Sequence, residues 1–375
     1  MKKILFVFVA LSIFACKNNK KEQSAVDEQQ VGYQEKLIDT TAYYSEDVTF
    51  TNEKENFTLA GTLTLPKGEG KFPVAVLISG SGLQNRNEEI MGHKPFLIIA
   101  DYLTRKGIAV LRYDDRNFGE SQGDATQATT ENFADDAEAA VNYLQSRNEI
   151  DNTKIGLIGH SEGGIIAPMI AAKRNDIAFI VMLAGPGIKG KDLLLLQSEV
   201  TSKSMGISDS IIEKSTATNK KIYEIICNID DAREREIQIT DCIKQYLESL
   251  PAIMKGGKTD ETIINETLKQ INSAWVVYFI RHNPAPALEK LKCPVLAVNG
   301  NKDVQVPSEI NLAAIKKALE QGKNSNFKIK EFEGLNHLFQ ECNTGSPMEY
   351  ATIKQTFSPV ALEEITNWII TTVNN

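Results

Sequence analysis

Three residue types that can cooperate in acyl transfer occur in this chain in the order serine, aspartate, histidine, each close behind a glycine. Ser161 lies in Gly159-His160-Ser161-Glu162-Gly163, Asp303 in Gly300-Asn301-Lys302-Asp303, and His337 in Gly334-Leu335-Asn336-His337. A serine hydroxyl is a weak nucleophile until an imidazole takes its proton, and the imidazole needs a carboxylate to fix its tautomer and steady its charge. Of the four histidines, His160 adjoins the nucleophile, where a tight turn is expected to direct it away. His93 precedes one helical pattern and His282 ends another, which leaves His337 as the base. Asp114 and Asp115 are the rival carboxylates, but they follow an earlier strand and lie beside Arg116, their expected charge partner.

For these residues to meet, a scaffold must bring three distant loops to one edge, and the hydrophobic pattern describes one. The apolar run 155–158 feeds straight into Gly159, and an apolar helical pattern leaves at 165–172. That is strand, tight turn and helix, a setting that lifts a serine clear of the sheet provided the flanking residues are glycine. Upstream, alternation at 48–51 and 57–65 around a polar turn predicts an antiparallel hairpin at a sheet edge. The continuous run 74–78 predicts a strand covered on both faces.

From there strand and helix alternate: helix 95–106, strand 108–113, helix 131–147, strand 154–158, the helix after Ser161, strand 178–183. The rhythm breaks at about 187–292, where helical patterns at 193–200, 211–226, 233–247 and 261–282 read as an inserted cap. It resumes with strand 295–298, helix 308–319, strand 327–332 and helix 359–373. Such a chain forms an α/β, mostly parallel, doubly wound sheet, whose crevice lies at the carboxyl ends of its strands.

Composition narrows the partners. The net charge of −8 over 375 residues, with no basic cluster in the folded part, argues against nucleic acid. Five cysteines show no C-x-x-C pair and no histidine at zinc-ligand spacing, so no metal site is expected; Cys227 and Cys242 are left open as a disulfide. Met1-Lys2-Lys3 and the apolar run 4–15 have the charge and length of a secretory signal too short to span a bilayer. The run ends Leu11-Ser12-Ile13-Phe14-Ala15-Cys16, which resembles the bacterial lipoprotein signal. That likeness implies lipidation of Cys16 and export to a membrane, at the periplasm or cell surface. Residues 16–42 then read as a polar, disordered tether, and 43–375 as the folded domain.

The order Ser161, Asp303, His337 on such a sheet resembles the α/β-hydrolase fold. Gly-His-Ser-Glu-Gly-Gly from 159, Ala-Gly-Pro-Gly at 184–187, Gly-Asn-Lys-Asp with Val306-Pro307, and Gly-Leu-Asn-His are similar to bacterial carboxylesterases near the serine aminopeptidase and prolyl-oligopeptidase-like hydrolases. Asp114 to Ser121 is similar to the D-x-R-G-x-G-x-S loop of that group, with Asn117 where glycine is usual. Asparagine is the next best occupant of a left-handed conformation, so the loop is expected to be kept. The resemblance puts Ser79-Gly80-Ser81-Gly82 in place of the His-Gly-x-Gly oxyanion loop and implies backbone N–H donors at Ser81 and Glu162.

The expected reaction is hydrolysis of a small-molecule carboxylic ester through an acyl-enzyme, with no cofactor. A serine aminopeptidase-like peptidase or an acyltransferase would use the same machinery. A catalytically silent, lipid-anchored binding protein is the alternative outside the enzymes. Oligomeric state is not written in the pattern.

Overall fold

The computed structural model describes Ile38 and residues 40–374. The expected signal at 1–15, Cys16 and nearly all of the tether lie outside the described residues. A 3₁₀ turn, Thr40–Ala42, leads into β1 (Tyr43–Asn52), which pairs antiparallel with β2 (Phe57–Pro66) in the expected hairpin. The hairpin reaches farther back than the alternation indicates, because Tyr43 at its far end is itself buried.

The strands that follow are β3 (Phe72–Ile78), β4 (Ala109–Tyr113), β5 (Ile150–His160), β6 (Phe179–Leu183), β7 (Val295–Gly300) and β8 (Phe327–Phe332). All eight form one sheet in the order β1-β2-β4-β3-β5-β6-β7-β8, antiparallel through β1, β2 and β4 and parallel from there to β8. Val74 to Ile78 are buried on both sides, as a continuous apolar run requires. Each valine, leucine and isoleucine of the run removed from water contributes about 1.5–3 kcal/mol.

Helices α1 (Pro95–Arg105) and α11 (Pro359–Asn374) share a core with one face of the sheet. Helices α2 (Thr130–Gln145), α3 (Gly163–Ala171) and α10 (Ser308–Gln321) pack on the other. In α2 the stripe Ala137, Ala140, Val141 and Leu144 is buried, so the helical period seen in the sequence is the face that meets the sheet.

Between β6 and β7 stands the helical insertion: α4 (Gly190–Ser204), α5 (Asp209–Asn228), α6 (Ala232–Glu248), α7 (Asp260–Ile271), α8 (Ala274–Arg281) and the short α9 (Ala285–Leu288). The single helix expected over 261–282 is two. Ser273 breaks it, its hydroxyl accepting the Val276 N–H to cap a new helix. This break frees α8 to set its own direction, and α8 carries Trp275 to Glu162 in the turn after β5.

Candidate active site

Ser161 occupies the turn between β5 and α3 with φ 52°, the left-handed region that costs a side-chain-bearing residue energy. Its amide donates to the Leu183 carbonyl at 2.8 Å, which ties the strained turn to the next strand. The flanking glycines are required by contact. A Cβ on Gly159 would lie 2.0 Å from the Gly163 carbonyl oxygen, and one on Gly163 would lie 2.1 Å from that of Ile78.

The loops after β7 and β8 bring the other two residues to the same end of the sheet. Asp303 and His337 are both buried, and His337 Nδ1 lies 2.7 Å from Asp303 Oδ2. The second carboxylate oxygen, Oδ1, accepts the backbone N–H groups of Gln305 and Val306 at 2.8 and 2.9 Å. The carboxylate is thus fixed at both oxygens. With Nδ1 held by Asp303, Nε2 is the nitrogen left for a serine hydroxyl, and Ser161 and His337 line one cavity. The predicted histidine is thus bonded to the predicted aspartate, and the predicted serine lines the same cavity as that histidine.

That cavity is also lined by Ser81 and Glu162. The loop after β3 is shaped from below by Asp115, whose oxygens accept the Ser79 hydroxyl and the Gln84 N–H. Burial pushes the Asp115 carboxyl well above the usual carboxylate range, outweighing those two donors. Gly80 gives its N–H to Glu88 Oε1 at 2.7 Å. Ser81, the next residue, lines the cavity, and Ser79 acts as an anchor.

Two placements differ from the sequence reading, and one that it left open is settled. Arg116 does not pair with Asp114 or Asp115; it binds Asp136 at 2.7 Å and Glu55 at 2.9 Å. Asp114 is held by Arg86 instead, through Nε and Nη2. The Asp114 oxygens are taken by Arg86 and those of Asp115 by Ser79 and Gln84, which leaves the Arg116 guanidinium to Asp136 and Glu55; Asn117 has φ 59°, as expected of a glycine substitute. His160, expected to point away from the site, joins its lining, with its ring centroid 4.7 Å from that of His337. Cys227 and Cys242 are free thiols.

Glu162 is the other residue whose part was not legible. Its side chain is buried, and Oε1 accepts from the Thr130 hydroxyl at 2.6 Å and from Trp275 Nε1 at 2.8 Å. Burial raises its pKa, and hydrogen bonds from Thr130, Trp275 and Ser81 offset only part of that. Trp275 belongs to α8, so this contact joins the insertion to the turn that carries Ser161. With Phe279, stacked on Trp275 at 5.0 Å between centroids, it forms an apolar wall continued by Leu193 and Leu194.

Comparison with known proteins bears on the family and the fold. The hydrolase family described as serine aminopeptidase, S33, matches residues 94–342. Esterase EstD of Thermotoga maritima is 28% identical over 335 residues, covering 89% of this chain and 69% of the relative. A 31.7 kDa protein of Escherichia coli with no assigned function is 24% identical over 69% of this chain and 82% of its own. Among solved structures, the Pyrococcus furiosus esterase superposes with a TM-score of 0.51 at 16% identity, covering 88% of this chain and 91% of its own. Est1E of Butyrivibrio proteoclasticus, solved with ferulic acid, has a TM-score of 0.51 at 17% identity over 88% of this chain and all of its own. The fold is that of the α/β hydrolases.

Proposed function

The chain belongs to the S33 serine aminopeptidase family of hydrolases, and on that premise we propose that it is a carboxylesterase working through Ser161, His337 and Asp303. The observation that carries this reading is Ser161, held in a left-handed turn and sharing a cavity with a histidine whose Nδ1 is bonded to a fixed carboxylate. His337 takes the Ser161 proton as the hydroxyl oxygen attacks the ester carbonyl. The oxyanion so formed is received by the Ser81 and Glu162 backbone N–H groups, each worth roughly 3 kcal/mol of barrier. His337 passes its proton to the departing alcohol, leaving an acyl-serine. Water, deprotonated by His337, then releases the acid.

Ester is favoured over peptide by the charge of the cavity. A peptidase that trims N-terminal residues needs an anion for the substrate's ammonium group. The carboxyl groups lining the site are Glu88 and Glu162, and both are engaged by donors of the protein. The relative named an esterase and the apolar wall of Trp275 and Phe279 point the same way.

The test is hydrolysis of short p-nitrophenyl esters set against aminoacyl-p-nitroanilides, with fluorophosphonate labelling of Ser161 and of Ser161→Ala. Ester turnover and labelling should both vanish in the variant. More than about a hundredth of the wild-type kcat surviving in Ser161→Ala would overturn the assignment, since loss of a triad serine costs far more. Lipidation at Cys16, and delivery of the enzyme to a membrane by that anchor, is the remaining part of the proposal.

A further inference from the structure

Beside the proposed triad lies a second acid and imidazole that the reaction does not consume. His160 Nδ1 is 2.8 Å from Glu88 Oε1, and His160 Nε2 is 2.9 Å from the backbone carbonyl oxygen of His337. A carbonyl oxygen has no proton to give, so Nε2 must donate. Glu88 Oε1 also accepts the Gly80 N–H at 2.7 Å, a bond that favours the ionised carboxylate and so places the proton shared with His160 on Nδ1. Against an ionised Glu88 either neutral tautomer of His160 would set a nitrogen lone pair against an oxygen, whereas the doubly protonated ring satisfies both bonds. Both side chains are buried, at 1% and 5% exposure, so this charge has no solvent to relax into.

We infer that Glu88 and His160 form a buried carboxylate–imidazolium pair that positions the oxyanion loop and the base-bearing loop against Ser161. Glu88 fixes Gly80, next to the donor at Ser81; His160 fixes the main chain of His337 and, by sequence, adjoins Ser161. One pair therefore spans all three loops that must stay in register. The backbone of Glu88 supports this, because it sits at φ 51°, a conformation that a glutamate adopts only where its surroundings impose it. The groups that face the His160 ring are Glu88, from the loop before α1, Asp303, after β7, and His337, after β8. Burial works against the charged ring, yet Glu88 and the His337 carbonyl outweigh it and hold the His160 pKa above its ordinary value.

The inference rests on the triad reading above, and the experiment separates the two. Glu88→Gln keeps an oxygen for Gly80 but removes the anion, so His160 should lose its extra proton at lower pH. In the variant kcat should fall roughly 10- to 100-fold while KM changes little, the size expected when reacting groups drift by a fraction of an ångström. The loss should grow with pH, moving the alkaline limb of the kcat profile downward. A profile parallel to wild type in a folded Glu88→Gln protein would overturn the pairing role. Imidazole nitrogen resonances of the wild-type protein decide the matter if the variant does not fold: both His160 nitrogens should be protonated at neutral pH, and a neutral His160 there refutes the inference. If Ser161→Ala is inactive and His160 is neutral, the triad stands and the pair falls. If Ser161→Ala stays active, the triad falls, and the His160 resonances still report the charge of the pair.

Discussion

Replacing Asp303 with asparagine tests the proposed triad more sharply than deleting any of its members, because the structure dictates how the new amide must sit. Oδ1 of Asp303 receives two backbone N–H groups, from Gln305 and Val306. Only an oxygen can stay there. The asparagine NH₂ is therefore forced into the place of Oδ2, 2.7 Å from His337 Nδ1. A donor at that point makes Nδ1 an acceptor and moves the imidazole proton to Nε2, the nitrogen that has to take the serine proton. The variant should fold like wild type, since both loop bonds survive, and should still bind substrate. Its kcat should fall roughly 10⁴-fold, which is about 5.5 kcal/mol of barrier. The assay is p-nitrophenyl ester turnover with the burst amplitude read separately from the steady rate, so that acylation is seen directly. Wild-type acylation within tenfold in a folded Asp303→Asn protein would show that the tautomer of His337 is set by something else, and Asp114→Asn would be the next variant to measure.

Other outcomes follow from the same contacts. Trp275→Phe keeps the stack on Phe279 but removes the bond to Glu162; stability should drop by about 1 kcal/mol and KM for esters should rise as α8 loosens, whereas an unchanged melting temperature and KM would detach the insertion from the nucleophile turn. For Glu162 the sign can be worked out: burial raises its pKa from 4.5, so the folded protein holds that proton more tightly than the unfolded chain, and stability falls as pH rises from about 4.5 through the raised folded value. Glu162→Gln keeps Oε1 for Thr130 and Trp275 and removes this dependence, so its melting temperature should vary less with pH and equal or exceed wild type at neutrality; a slope identical to wild type would contradict the buried-acid assignment. Cys16→Ala, expressed with the full chain, should move the enzyme out of the membrane fraction, and persistence there after substitution would rule out a lipid at that cysteine.

How much of this was legible depended on the range of the interaction. The nucleophile turn could be read because its requirements are local: glycine at 159 and 163, an apolar strand before, an apolar helix after. Asp303 and His337 were legible because each follows a strand within a few residues, so topology alone delivers them to one edge. The helix break at Ser273 was missed since the apolar period runs across it, and the capping hydroxyl resembles any other polar residue of the exposed face. Arg86 with Asp114, Glu88 with His160, and Trp275 with Glu162 are pairs separated by 28, 72 and 113 residues. No periodicity encodes such a distance. Arg116 was misassigned for the same reason, its neighbours in sequence having been preferred to Asp136, 20 residues on, and Glu55, 61 residues back.

The helices α4 to α8 of the insertion between β6 and β7 are closed on themselves at their base. The Gly190 amide at the foot of α4 donates to the His282 carbonyl just past α8 at 2.9 Å, and a Cβ on Gly190 would lie 1.7 Å from the Phe279 carbonyl oxygen. With its ends clasped in this way, the segment between them is a closed loop in its own right. Doubling the length of a flexible closed loop costs only about 0.6 kcal/mol in entropy, and the strands on either side do not register the change. The roof of the pocket is in that sense an exchangeable cassette: its length and side chains can drift, or be swapped for those of a relative, while the hydrolytic groups stay where the sheet holds them. Substrate range in this lineage can evolve on one side of the clasp without reopening the chemistry on the other.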